Sequence, residues 1–127
     1  MTGPNRRTIL LAAGASLAAP ATHAQTTDWP NRPVRVIVPY APGAGTDFIV
    51  RAVCERLSRQ TGQQFVVEHK GGAAGALGAE TVAKAPRDGY TIMMTPQAPI
   101  QVIPHLRKLP YDAMADFVVV GRMGESI

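Results

Sequence analysis

The chain has 127 residues, a single cysteine and a formal net charge of +4 from 13 basic and 9 acidic residues. One cysteine, Cys54, excludes an internal disulfide and a cysteine-based metal site. The basic residues are scattered, with Arg6-Arg7 and Arg107-Lys108 the only adjacent pairs, so the charge is no nucleic-acid footprint.

The N-terminus reads as an export leader. Arg6 and Arg7 form a basic start, an apolar run extends from Ile9 to Ala19, and Thr22 and Ala24 stand at the −3 and −1 positions before Gln25. The run falls short of the ~20 apolar residues that span a bilayer. Cleavage is expected between Ala24 and Gln25, giving residues 1–24 as signal peptide. Arg6-Arg7-Thr8-Ile9-Leu10 also partly matches a twin-arginine signal, so both the Sec and the twin-arginine routes stay open. Removal of the leader lowers the net charge from +4 to +2. About 100 residues then remain, enough for one modest core.

Residues 25–33 form a rigid polar lead-in. Val34–Val38 is β-branched, is closed by Pro39 and reads as a buried strand. The segment from Tyr40 to Asp47 is a glycine- and proline-rich loop. Thr46 suits a helix N-cap, and Asp47 suits the first turn. Ile49, Ala52, Val53 and Leu57 recur at helical spacing. Cys54 lies in this helix as a small buried hydrophobe, and Gly62 ends it. Residues 64–68 read as a second strand, residues 69–75 as a second glycine-rich loop, and residues 76–85 as a helix of small residues. Residues 86–89 form a turn and residues 90–94 a third strand. A short helical turn is expected over residues 100–106, and a fourth strand over residues 117–122. This alternation predicts an α/β fold with a mainly parallel sheet and helices on its faces.

In such a sheet ligands bind beyond the carboxyl ends of the strands. Three loops lie there, at residues 40–47, 69–75 and 95–98. The N–H groups of Gly43, Ala44, Gly45 and Thr46 stand at a helix start, which suits an anion. Residues 72–75 repeat the device. Glycines also serve simple tight turns, and the residues alone leave both readings open. Nucleotide motifs are absent: Phe48 stands where Gly43-x-Gly45 needs a third glycine, and Gly72, Gly75 and Gly78 have the wrong spacing. Ser58 and Ser126 lack a nucleophile-elbow context. Asp47 and Glu68 are the one carboxylate pair expected to face each other across the sheet edge. Histidines 23, 69 and 105 show no ligand spacing. No enzyme activity and no cofactor are expected.

The stretch Trp29-Pro-x-Arg-Pro-Val-Arg-Val-Ile-Val-Pro-Tyr-Ala-Pro-Gly-Ala-Gly-Thr-Asp47 resembles the opening of the Bug (TctC-like) solute-binding proteins of tripartite tricarboxylate transporters. Agreement continues in residues 57–68, in Gly75-x-x-Gly-Ala-Glu80, in Asp88-Gly-Tyr-Thr91, in Pro104-His-Leu, and in Leu109-Pro-Tyr-Asp112 with Asp116-Phe117. The resemblance implies a two-domain Venus-flytrap fold in the periplasm, of which residues 34–127 are an incomplete first domain. It implies a small organic carboxylate as ligand and membrane permease subunits as partners, with no nucleic acid. The ligand-holding positions it implies are Tyr40, Ala41, Pro42, Gly43, Ala44, Gly45 and Thr46 in the first loop, and Thr95, Pro96, Gln97 and Ala98 after the third strand. Asp47 is expected to brace the first loop, with Gly72, Ala73, Ala74 and Gly75 nearby. Ala44, Lys70-Gly-Gly72 and Pro96-Gln-Ala-Pro99 depart from the family's usual residues. A two-domain binding protein needs roughly 200–400 residues, so the expectation is the truncated N-terminal portion of a receptor, which by itself binds ligand weakly or not at all. The alternative is a self-contained exported half-module with a regulatory or scavenging role.

Overall fold

The computed structural model describes residues 28–124. The expected leader and its cleavage point lie outside these residues. Three strands form one parallel sheet: β1 (Val34–Val38), β2 (Phe65–His69) and β3 (Thr91–Met93), in the order β2-β1-β3. Between them run α1 (Gly45–Thr61) and α2 (Ala76–Ala83), and α3 (Ile103–Leu106) follows. No helix among the described residues is long and apolar enough to cross a membrane.

Central β1 is paired along both edges. Val34 stands opposite Phe65 and Val38 opposite His69, while Val36 stands opposite Ile92. Its residues Val34, Val36, Ile37 and Val38 are fully buried, and only Arg35 is exposed. A strand covered on both faces reads as a continuous apolar run, which is how it stands in the sequence. The chain steps to one side of β1 through α1 and to the other through α2. Right-handed crossovers then place the two helices on opposite faces. Val34, Val36 and Val38 pack with Val50, Cys54, Phe65 and Met94. A second cluster joins Ala76 and Ala79 to Tyr111, Met93, Ile100, Leu109 and Phe117.

Several sequence expectations change here. The N-cap of α1 is Ala44, not Thr46, and no side chain caps the helix. Its inward stripe is Val50, Val53, Cys54 and Leu57, whereas Ile49 and Ala52 face solvent. This is the same periodicity rotated by one position, since Val50 reaches the sheet better than Ile49. Gly62 does end the helix, at φ 70°, with its N–H donating to the Ser58 carbonyl at 3.0 Å. The turn after β3 starts earlier than expected: a wide turn over Ala98–Val102 with buried Pro99 leads into α3. The fourth strand does not form. Phe117 stacks edge-on against Tyr111 at 5.6 Å, while Val118, Val119 and Val120 are 83–92% exposed, without a strand partner among the described residues. β-Propensity expresses itself only where a neighbouring strand and a buried face exist.

Two segments staple the sheet from outside. At its amino end Tyr90 donates its hydroxyl to Asn31 Oδ1 at 2.8 Å, Arg32 stacks over the Tyr90 ring, and Arg32 pairs with Asp88. Along the α2 face, the Tyr111 hydroxyl donates to the Pro99 carbonyl at 2.6 Å. Burial pushes the Tyr111 phenol up from its ordinary range.

Gly78 sets how closely α2 approaches β1. A Cβ there would stand 2.7 Å from Pro39 Cβ and 2.9 Å from Pro39 Cα. Helix propensity alone favours alanine over glycine by ~1 kcal/mol. The backbone contact reverses that sign, and Gly78→Ala is expected to destabilise the fold by about 1–3 kcal/mol of overpacking. Urea denaturation of the two chains measures the difference, and a more stable variant refutes the packing argument.

Candidate functional site

Parallel strands end at one edge, so the loops after β1, β2 and β3 gather there. In the order β2-β1-β3 the chain reverses its direction of winding between β1 and β3. That is the topological switch point, the place at which open sheets of this kind generally hold their ligands, outside the carboxyl ends of the strands. The first loop and the loop after β3 flank it, and the second loop lies beside the first. Lys70 donates its N–H to the Val38 carbonyl at 2.8 Å, and Gly71 packs on Tyr40 and Ala41.

In the first loop Tyr40 is half-buried, residues 41–45 are exposed, Thr46 is half-exposed and Asp47 is 4% exposed. Asp47 folds back over its own loop. Its Oδ2 accepts the Gly43 N–H at 2.9 Å, and its Oδ1 accepts Arg51 Nε–H at 2.9 Å. His69 Nε2 lies 3.2 Å from the same Oδ1, and His69 Nδ1 lies 3.0 Å from the Tyr40 carbonyl. The Gly43 amide, with Arg51 and His69 adding to it, holds the Asp47 carboxyl below the usual carboxylate range. Asp47 therefore braces the loop from inside. Gly43, expected to offer its N–H outward, spends it on Asp47. The helix-start amides of Gly45 and Thr46 have no partner within the helix and no side-chain cap.

The second loop holds four successive positive φ angles: Gly72 at 127°, Ala73 at 50°, Ala74 at 56° and Gly75 at 92°. Left-handed alanine costs roughly 1–2 kcal/mol per residue. The turn is held by Gly75 N–H donating to the Gly72 carbonyl at 2.9 Å and by the Arg107 guanidinium on the Ala73 carbonyl. Gly75 is wedged in place, since a Cβ on it would meet Pro99 Cγ at 2.5 Å and the Tyr40 hydroxyl at 3.4 Å. Gly75 thus joins the first two loops to the wide turn after β3. Backbone held in such a rare region marks a place that its surroundings over-determine.

After β3, Thr95 donates its hydroxyl to the Pro96 carbonyl, and the Gln97 carbonyl accepts the N–H groups of Ile100 and Gln101. Pro96 and Gln97 are exposed, and Ala98 is half-buried. Two hollows lie elsewhere. One of about 630 Å³ is lined by residues of the 104–116 segment, and one of about 210 Å³ lies between Ala73, α2 and residues 107–110.

The expected Asp47–Glu68 pair does not form. Arg35 holds Glu68 through two hydrogen bonds of 2.8 and 2.9 Å and keeps its carboxyl low, while Asp47 keeps Arg51 and His69. Cys54 is buried and its thiol is pushed up by desolvation. Ser58 Oγ accepts the Phe65 N–H at 3.1 Å. Sequence reasoning passed over His69 and Arg51. Arg51 follows Asp47 by one helical turn, a spacing that signals a helix-face ion pair. His69 carries no local signal, and its place follows from the Val38–His69 pairing in the sheet.

Comparison with known proteins agrees with this architecture. Residues 49–126 match the TctC model, the tripartite tricarboxylate transporter family receptor. A UPF0065 protein of Bordetella bronchiseptica is 43% identical over 112 residues, 87% of this chain and 33% of that protein. A solved structure described as a periplasmic transporter superposes with a TM-score of 0.63 at 47% identity, over 67% of this chain and 29% of its own. MatC of Rhodopseudomonas palustris, solved with bound malate, superposes at 0.65 with 33% identity, over 70% of this chain and 31% of its own. The chain thus spans about a third of the length of the relatives it matches.

The Asp47 network has a pH signature. A carboxyl held below its ordinary value near 3.8 stabilises the fold fully above that value, and the contribution is lost as pH falls through the lowered one. Thermal midpoints taken from pH 6 down to pH 2 are expected to fall more steeply for the parent chain than for Asp47→Asn. Equal slopes refute the bracing role.

Proposed function

The chain belongs to the tripartite tricarboxylate transporter receptor family, and we propose that it supplies the N-terminal part of a periplasmic solute-binding protein whose first loop receives a carboxylate of a small organic acid. Residues 1–24 are its export signal, residues 25–33 its lead-in, and residues 34–127 part of the first ligand-binding domain. The solute passes to membrane permease subunits. The protein performs no catalysis.

One observation carries the reading. The start of α1 is uncapped, lies at the sheet's switch point and has its one nearby carboxylate already neutralised from within. The helix-start amides of Gly45 and Thr46 and the positive end of the α1 dipole are left for an external anion. The Thr46 hydroxyl and the loop Thr95–Ala98 complete this wall of the site. The bound malate of MatC, a dicarboxylate, supports the ligand class. A cleft has two walls, and residues 28–124 form one, so affinity for an isolated wall is low.

Gly45 offers a clean test. It is the first residue of α1, Ala44 before it is extended at ψ 159°, and a Cβ at position 45 meets nothing within 4 Å. Proline is tolerated at such a position and removes only the N–H. Titration with malate, followed by amide NMR, is expected to move the signals of residues 44–46 and 95–98. Gly45→Pro is expected to weaken binding about tenfold, the worth of one charge-assisted hydrogen bond. Shifts confined to the 104–116 hollow, or unchanged affinity in Gly45→Pro, overturn this placement.

A further inference from the structure

We propose that His69 is a positioning residue for the first loop, and that a proton on its Nε2 decides whether that nitrogen holds Arg51 or Asp47. The inference deepens the carboxylate-site reading above and rests on it for its effect on ligand.

The tautomer follows from the partners. Nδ1 lies 3.0 Å from the Tyr40 carbonyl oxygen, which only accepts, so Nδ1 carries a hydrogen. Neutral imidazole then presents a lone pair at Nε2. Two groups of opposite character stand before that lone pair: Arg51 Nη2 at 3.4 Å and Asp47 Oδ1 at 3.2 Å. In the neutral ring Nε2 accepts from Arg51 and faces the carboxylate unfavourably. Arg51 bridges the two, because its Nε–H is on Asp47 Oδ1. In the charged ring Nε2–H donates to Asp47 Oδ1 and repels Arg51. Both states use the same atoms, and protonation transfers Nε2 from one partner to the other.

The remaining charged neighbours leave this exchange intact. Asp47 and Arg51 face the ring from α1, and the Tyr40 carbonyl faces it from the loop. Glu68 precedes it on β2, engaged by Arg35 of β1, and Lys70 follows it in the second loop. The ring side chain is 16% exposed. When charged, one ring ties both ends of the loop, Tyr40 and Asp47. When neutral, the tie to Asp47 runs through Arg51 alone. A carboxylate on the helix-start amides therefore binds more tightly to the charged form, through a better-fixed loop and through the added positive charge.

The ring's nitrogen-15 NMR signals in the full chain test the exchange without any ligand. The expected neutral form is Nδ1–H. In Arg51→Ala the lone pair loses its donor and both ring nitrogens face acceptors, so the ring is expected to hold both hydrogens to higher pH than in the parent chain, while Asp47→Asn retains Nδ1–H. Nε2–H as the majority neutral tautomer of the parent chain, or no change in Arg51→Ala, overturns the proposal. Malate affinity is then measured on both sides of the ring's own titration. The parent is expected to bind about threefold more tightly on the acid side, the scale of a partly exposed ion pair. His69→Asn, whose amide keeps the donor to Tyr40 but gains no proton, is expected to lose that dependence while remaining folded. An equal dependence in His69→Asn overturns the coupling to ligand. The tautomer pattern without malate binding in any variant refutes the carboxylate reading and supports the exchange.

Discussion

β1 is hydrogen-bonded along both edges and buried on both faces, and that single constraint arranges the rest of the molecule. A strand so placed admits no polar side chain along most of its length, which is why four of its five residues are apolar and fully buried. It also fixes where the chain turns on each side. α1 carries it to β2 and α2 carries it back across to β3, so the winding reverses beside β1 and the switch point lies at its carboxyl end. Pro39 ends the strand and serves as a steric stop for α2, through Gly78, and for the second loop, through Gly75. Loop positions at the switch point are thereby referred to one rigid atom group.

Electrostatics at the switch point follow from the same placement. An unpartnered carboxylate beside the helix-start amides would repel the anion proposed to bind them. Asp47 avoids this because the Gly43 amide, the Arg51 guanidinium and the His69 ring surround it. The charge is used to shape the loop, and the dipole of the 17-residue α1 remains directed outward. The strained alanines of the second loop fit the same pattern. Their conformation persists because Gly75 and Arg107 hold it on either side.

The parallel α/β architecture, the three strands, the two main helices and the C-terminal stop at Gly62 were legible in the sequence, because each rests on local periodicity or local backbone freedom. Asp47 as a brace was an expectation of the family resemblance, whereas its place at a helix start suggested a cap or dipole partner. The misses have a common origin in non-local geometry. Periodicity specifies that α1 has an apolar stripe but leaves a one-position rotation open, and packing on Val34, Val36 and Val38 decides for Val50 and Cys54. Residues 117–122 have the composition of a strand and, among the described residues, no partner to make them one. His69 acquires its importance through strand register with Val38, and no count along the chain reveals that. The stretches Trp29–Pro33 and Asp88–Thr91, read separately in the sequence, form one contact in space through Tyr90.

Trp29 gives that contact an optical use. It is the only tryptophan of the chain, it lies against Gly89 and 6.3 Å from the Tyr90 ring, and it sits at the amino end of the sheet. A five-residue strand is about 16 Å long, so the indole is separated from the loops at the carboxyl ends of the strands by the full height of β1. Its emission therefore reports whether the lead-in is docked on the sheet, and it is insensitive to direct contact with a solute at the opposite end. A change in intrinsic fluorescence on adding solute would be read as rearrangement of the whole sheet, and a silent signal would carry no information about occupancy.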